Sequence, residues 1–440
     1  MPTLRSFTPE QSDYEARIRE LCELLRAGEL TSASFQATGR VPDIVRNILE
    51  EVRTGGDGAA ARLASELDRA RLTPETLRVP EHVIAAARAQ AEPAFIALIQ
   101  RAIQNIRDYQ EHILWRSPPP LVRGGRKLGV RYSPMKRVAV YVPGGQALYP
   151  STVLMTVVPA RVAGVDEIVM ISPPTGGEIH PLALALAGEL GVKEVYRLGG
   201  AVGIAAVAYG TESIRPVDKV VGPGNAFVAE AKRQLFGRVG IDSIAGPSEV
   251  FIVADDSANP RWVAADLLAQ AEHNPGSAVL ATPSRALAEQ VVAEVERQLQ
   301  DLSRAEVTRP SLERYSAVIV TKDLAEACRY ADEFAAEHLQ IMTREDDACL
   351  SRIRSAGAIF LGHHTPVPLG DYFAGPSHVL PTGGTARFSG PLSCNDFLRV
   401  SSLIAYDAES VREDAADVAG FAEREGLTAH AAAVIARRDG

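Results

Sequence analysis

Chemistry-bearing side chains gather in the second half of the chain, and the nine histidines are its clearest markers. The run LLAQAEH ends an apolar helical stretch with Gln270, Glu272 and His273, and Asp266 stands one turn earlier. Gln270 and His273 are three positions apart, so both project from one helix face. Glu337 and His338 are adjacent in FAAEHLQI. On a helix neighbours diverge by about 100°, so only a helix end lets both reach one cleft. Asp371 and His378 belong to GDYFAGPSHVLPTGG, a loop too rich in glycine to be core, and His430 follows Glu425 in EGLTAH. Any one of these fits a surface or capping histidine. Together, imidazoles and carboxylates from separate segments are what a zinc site needs, and a histidine beside a glutamate suits proton transfer. The pair His363-His364 in GHHTP is a decoy, because adjacent loop residues seldom chelate one ion, and it reads as a solvated turn.

These groups need a scaffold. Residues 1 to about 115 are helical in pattern, with apolar residues every three or four positions in DIVRNILEEVR and FIALIQRAIQNIRDYQEHIL. From 127 the rhythm alternates: RVAVYV, EIVMIS and KEVYRL read as strands between helical stretches, and SEVFIVA, AVLATP, AVIVT and GAIFLG form a second series. Strands alternating with helices imply parallel α/β sheets. The glycine turns RLGGAVG, VGPGNAF and YVPGGQALYPS open helices and suit a phosphate or a ligand cleft, yet none has the G-x-G-x-x-G spacing. After RLGGAVG no acid follows about 20 positions later on a strand end. The tail, 393–440, reads as helical and must pack against something larger.

Composition bounds the answer. A net charge of −9 argues against nucleic acid or an anionic membrane surface as a partner. Cys22, Cys328, Cys349 and Cys394 are far apart, which fits a reducing compartment. No apolar run is long enough to span a bilayer, so a cytoplasmic protein is expected.

The segments YVPGG, STVLMTVVPARVAGV, GPGNAFVAEAKRQ, GIDSIAGPSEV, DLLAQAEH, EHL, GDYFAGPSHVLPTGGTARF and LTAH, in this order, resemble the histidinol dehydrogenase family. The resemblance implies an α/β protein with two incomplete Rossmann-like parallel-sheet units, helical N- and C-terminal extensions and an intertwined homodimer. It implies an N-terminal helical extension over 1–31 and a first α/β domain from 32–140 plus 249–392 carrying most of the zinc site. A second α/β domain, 141–248, would take the NAD side, and the tail 393–440 would reach the partner subunit.

One Zn2+ per active site is implied, with ligands on Gln270, His273 and Asp371, and His430 lent by the partner. L-histidinol would be oxidised through L-histidinaldehyde to L-histidine with two NAD reduced, completing histidine biosynthesis. His338 would act as base for the alcohol and Glu337 for water. Besides the metal ligands and His338, the family pattern puts substrate contacts on Ser248, His378 and Glu425, and NAD contacts on Tyr141 and Asn225. Val202 departs from the family, which has glutamine there, and the change predicts weaker cofactor binding. The alternative within the fold is oxidation of another small alcohol such as a sulfonated diol. A zinc hydrolase, from another class, lacks any HExxH motif.

Overall fold

The computed structural model describes residues 4–26, 41–144, 150–273 and 275–439. The chain opens with β1 (Arg5–Phe7) and α1 (Tyr14–Arg26), then α2 (Val41–Leu67), α3 (Glu81–Gln90) and α4 (Pro93–Ile113). The strands β2 (Leu121–Arg123) and β3 (Arg126–Pro134) lead into β4 (Arg137–Tyr141), α5 (Pro150–Ala163), β5 (Glu167–Ser172), α6 (Pro181–Glu189) and β6 (Glu194–Arg197). Next come α7 (Gly200–Tyr209), β7 (Lys219–Val221), α8 (Ala226–Leu235) and β8 (Gly240–Ile241). The second series is β9 (Ser248–Ala254), α9 (Pro260–Ala271), β10 (Gly276–Thr282), α10 (Arg285–Leu299), α11 (Ala305–Tyr315), β11 (Ala317–Val320), α12 (Leu324–Phe334) and β12 (His338–Met342). It closes with α13 (Asp346–Leu350), β13 (Ala358–Leu361) and α14 (Val367–Tyr372), before β14 (Leu398–Ala405), α15 (Ala408–Arg424) and α16 (Thr428–Arg438).

Two parallel sheets result, one ordered β6-β5-β4-β7-β8 and the other β1-β11-β10-β9-β12-β13. Their central strands are buried along their whole length, which is why RVAVY and GSAVLAT are predominantly apolar without a polar face. Alternate side chains still serve opposite faces. Val138, Val140, Ile168 and Met170 pack with α3 to α6, while Ala139, Tyr141, Val169 and Ile171 pack with α2, α7 and α8. In the six-stranded sheet Phe251 and Val253 meet α1 and α12, and Val250 and Ile252 meet α9, α10 and α11.

This packing revises the expected division. Residues 32–140 were to join 249–392, but α2, α3 and α4 bury Val45, Ile48, Ile103 and Ile106 against the five-stranded sheet. The 140/141 boundary also cuts through β4. A helix amphipathic by pattern declares that it must cover a sheet, not which one. The N-terminal extension is not purely helical, because β1 pairs in parallel with β11; the boundary after residue 31 lies outside the described residues. Nor is the tail: β14 runs antiparallel to β3, with Leu398 opposite Pro134 and Ala405 opposite Lys127. Beyond it α15 and α16 share a small cluster of their own, Ala419, Ala422 and Ala431 with Ile435. Among the described residues no helix is long and apolar enough to cross a membrane.

Candidate active site

The acid–base groups gather at the amino ends of strands of the six-stranded sheet. Ser248 and His338 are the first residues of β9 and β12, and His273 lies in the turn before β10. Ser151 opens α5 after β4, and its Oγ lies 3.1 Å from His378 Nε2. Open α/β sheets bind ligands at carboxyl edges; here the acid–base groups sit on an amino edge instead.

Glu337 and His338 reach one cleft by a route the helical reading missed. The helix α12 stops at Phe334, Ala335 turns with φ +50°, and the chain re-enters as strand β12. Glu337 thus precedes a strand, and its carboxylate is held from β9: the Ser248 hydroxyl and the Glu249 N–H, at 3.0 Å, both donate to Oε2. Burial raises the Glu337 carboxyl, while His338, the two donors and His273 pull it back. His338 is 3% exposed, and its Nδ1 lies 3.1 Å from the Glu249 carbonyl oxygen. A carbonyl only accepts, so Nδ1 carries hydrogen and Nε2 is the basic nitrogen of the neutral ring. That Nε2 is buried with no hydrogen-bond partner among the described residues, 3.7 Å from Asp371 Oδ1. Burial opposes a charge on His338, but Glu337 and Asp371 outweigh it and push the ring up to about 9.

Asp371 stands in the short helix α14, not in the loop expected from its glycines. Burial would raise its carboxyl, yet His338, His378 and His273 together hold it below the usual value. Desolvation lowers His378, with Asp371 opposing. The charge of His273 therefore reaches Glu337, Asp371 and His378 at once. Gln270, 3% exposed, ends α9, and its side-chain nitrogen is buried without a partner among the described residues. The turn that brings α9 into β10 requires Gly276: a Cβ there would lie 2.2 Å from the Gln270 carbonyl oxygen and 2.6 Å from that of His273.

Among the described residues no three His, Cys, Asp or Glu side chains group as a metal site. The expected donor set accounts for this, since one member is an amide and another sits on the tail. The oxygen and nitrogen of an amide exchange on a flip, so the orphaned Gln270 group, with an anionic Asp371 and the His273 ring coupled to it, supplies the mixed N and O donors that a zinc ion accepts. Glu425, just past α15, and His430, on α16, are exposed, and neither side chain bonds to the cleft among the described residues.

In the five-stranded sheet Tyr141 is 3% exposed, and its hydroxyl accepts the Gly200 N–H at 3.2 Å. Asn225 caps α8, its Oδ1 accepting from the Phe227 and Val228 N–H groups. Val202 is 1% exposed within the apolar cluster of α7, so a glutamine would have to bury its amide there. Gly145 of YVPGG lies outside the described residues. Of the pair in GHHTP, His364 is exposed against Trp262, and His363 lies near Ser257. Sequence reasoning missed Glu249, whose Oε1 accepts the Gly383 N–H at 2.9 Å and which burial lifts to about 8. It also missed the buried Lys232–Asp242 pair clamping Gly222 in the GPGN turn. Both lay inside quoted motifs, but only contacts distinguish them from ordinary strand and helix residues.

The family model for histidinol dehydrogenase matches residues 32–438. The histidinol dehydrogenase of Rhodopirellula baltica is 50% identical over 415 residues, covering 94% of this chain and 90% of that relative. That of Bacillus licheniformis is 50% identical over 395 residues, covering 89% and 92%. The solved structure of the Elizabethkingia anophelis histidinol dehydrogenase superposes with a TM-score of 0.91 at 31% identity, covering 99% of this chain and 98% of that one.

Proposed function

The chain belongs to the histidinol dehydrogenase family, a family of oxidoreductases acting on a small molecule, and from that premise we propose its chemistry in detail. It oxidises L-histidinol through L-histidinaldehyde to L-histidine, with two NAD+ reduced, as the last steps of histidine biosynthesis. The observation that carries this reading is the buried, unpartnered His338 Nε2 beside a Glu337 carboxylate held by Ser248 and β9.

Once its ring is deprotonated, His338 takes the substrate hydroxyl proton on Nε2 while the Glu249 carbonyl keeps the ring oriented through Nδ1. Glu337, its basicity raised by burial, takes a proton from the water that adds to the aldehyde. His338 serves again when the hydrated aldehyde is oxidised. The geometry supports this division, because Glu337 Oε2 is tied to Ser248 whereas His338 Nε2 is open. Gln270, His273 and Asp371 would hold a zinc ion with His430 of the partner subunit. When bound, zinc supplies a positive charge that orients the substrate, and NAD supplies the hydride acceptor. Tyr141 and Asn225 would line the cofactor side. Ser248, His378 and Glu425 of the partner subunit would contact substrate.

A homodimer with shared sites is supported by apolar side chains on and beside the tail, Ile404 at 73% and Phe421 at 67% exposure, which a second chain would cover. A sulfonated diol is not favoured, since Glu337 and Asp371 both flank His338 with carboxyl groups. The test uses purified protein with zinc, NAD+ and L-histidinol, following NADH and histidine together. Two NADH per histidine are expected. Reduction that stops at one NADH, or none with histidinol, overturns the proposal.

A further inference from the structure

Within the sheet order β6-β5-β4-β7-β8, the run β6-β5-β4 is that of a mononucleotide-binding half, with β4 first and β5 second. In such halves a carboxylate near the end of the second strand accepts hydrogen bonds from ribose hydroxyls. Here β5 runs into Ser172-Pro173-Pro174 and offers no acid. A carboxylate arrives from elsewhere. Asp68, just past α2, stands where a Cβ added to Gly199 would lie 3.3 Å from its Oδ2 and 2.4 Å from the Pro173 Cβ. It therefore occupies the gap between the ends of β5 and β6, beside the first turn of α7. Its charge also reaches the Tyr141 hydroxyl.

The bland reading is a helix cap, and the hydrogen bonds exclude it. The side chain of Asp68 accepts none from the described residues, and the Gly200 N–H is taken by Tyr141. Asp68 is half-buried, and burial alone raises its carboxyl to about 6. Removing a carboxylate from water without a partner is costly, and ligand hydroxyls would offset that cost. Gly200, at φ +55°, has open space where its side chain would be, so a ligand can approach the backbone beside Asp68.

We propose that Asp68 binds the adenosine ribose hydroxyls of NAD and repels the 2′-phosphate of NADP, making it the residue that selects between the two cofactors. This rests on the NAD reading above.

Titration calorimetry with NAD+ and with NADP+, in the absence of histidinol, reads binding directly for wild type, Asp68→Ala and Asp68→Asn. Asp68→Ala should weaken NAD+ about tenfold, the loss of a charge-assisted hydrogen bond. NADP+ should bind no worse or better, so the preference for NAD+ collapses in both variants. In turnover, KM for NAD+ should rise more than kcat falls. NAD+ affinity within about twofold of wild type in both variants overturns the assignment. So does equal weakening of both cofactors, which a merely structural residue would produce. Asp68→Asn keeps the side-chain shape should Asp68→Ala fold poorly. Wild type that binds neither cofactor refutes the NAD reading and this inference with it; wild type that binds NAD+ beside unaffected variants refutes this inference alone.

Discussion

Glu337 and His338 are neighbours that differ in what their free atoms can do. The Glu337 carboxylate takes two hydrogen bonds on one oxygen, and His338 keeps one nitrogen for substrate by donating from the other. Glu337→Gln preserves shape and removes the base. It should leave the first oxidation largely intact and slow histidine formation by about 10²–10⁴-fold, the usual worth of a positioned general base. Stopped-flow NADH traces beside histidine quantification separate the steps. Histidine formed at the wild-type rate would remove Glu337 from the water step.

At the scale of elements, α9 must hold its last turn against β10 and β12. Gly276 sets the close turn, and Gln340 of β12 donates to Asp266 at 2.7 Å, tying the helix to the strand. That tie has a pH dependence. Burial lifts the Asp266 carboxyl to about 6, with the Gln340 donor opposing. Because the folded value is raised, protonated Asp266 favours the fold at low pH, and the contribution is lost as pH rises through about 6. Asp266→Asn keeps an acceptor for Gln340 and cannot ionise. It should add on the order of 2 kcal/mol of stability near pH 8, shrinking as pH falls toward about 4. Thermal unfolding across that range measures it. A gain independent of pH would mean that Asp266 is not the titrating group.

At the scale of the molecule, one chain leaves Glu425, His430 and apolar tail surface in water. If each partner lends these two residues to the other's cleft, two inactive variants can repair each other. His430→Ala and His338→Ala homodimers should each be inactive. Each mixed dimer then holds one intact site, and re-association of equal amounts should restore about a quarter of wild-type activity under two-fold symmetry. No recovery, with mixed dimers verified by mass spectrometry, would place His430 in its own chain's site.

Much of this was written in local sequence. Predominantly apolar strands alternating with helices declared two parallel sheets, because a strand buried on both faces has no polar side to show. Segments such as DLLAQAEH and GDYFAGPSH carried the candidate residues, since their types and order survive as family pattern. Tertiary structure decided what depends on contact between distant segments. It laid α2 to α4 on the five-stranded sheet, turned Glu337-His338 from a helix end into a strand entrance, buried Val202 and brought Asp68 beside Gly199. Periodicity reports how much of an element is buried; only packing chooses against what.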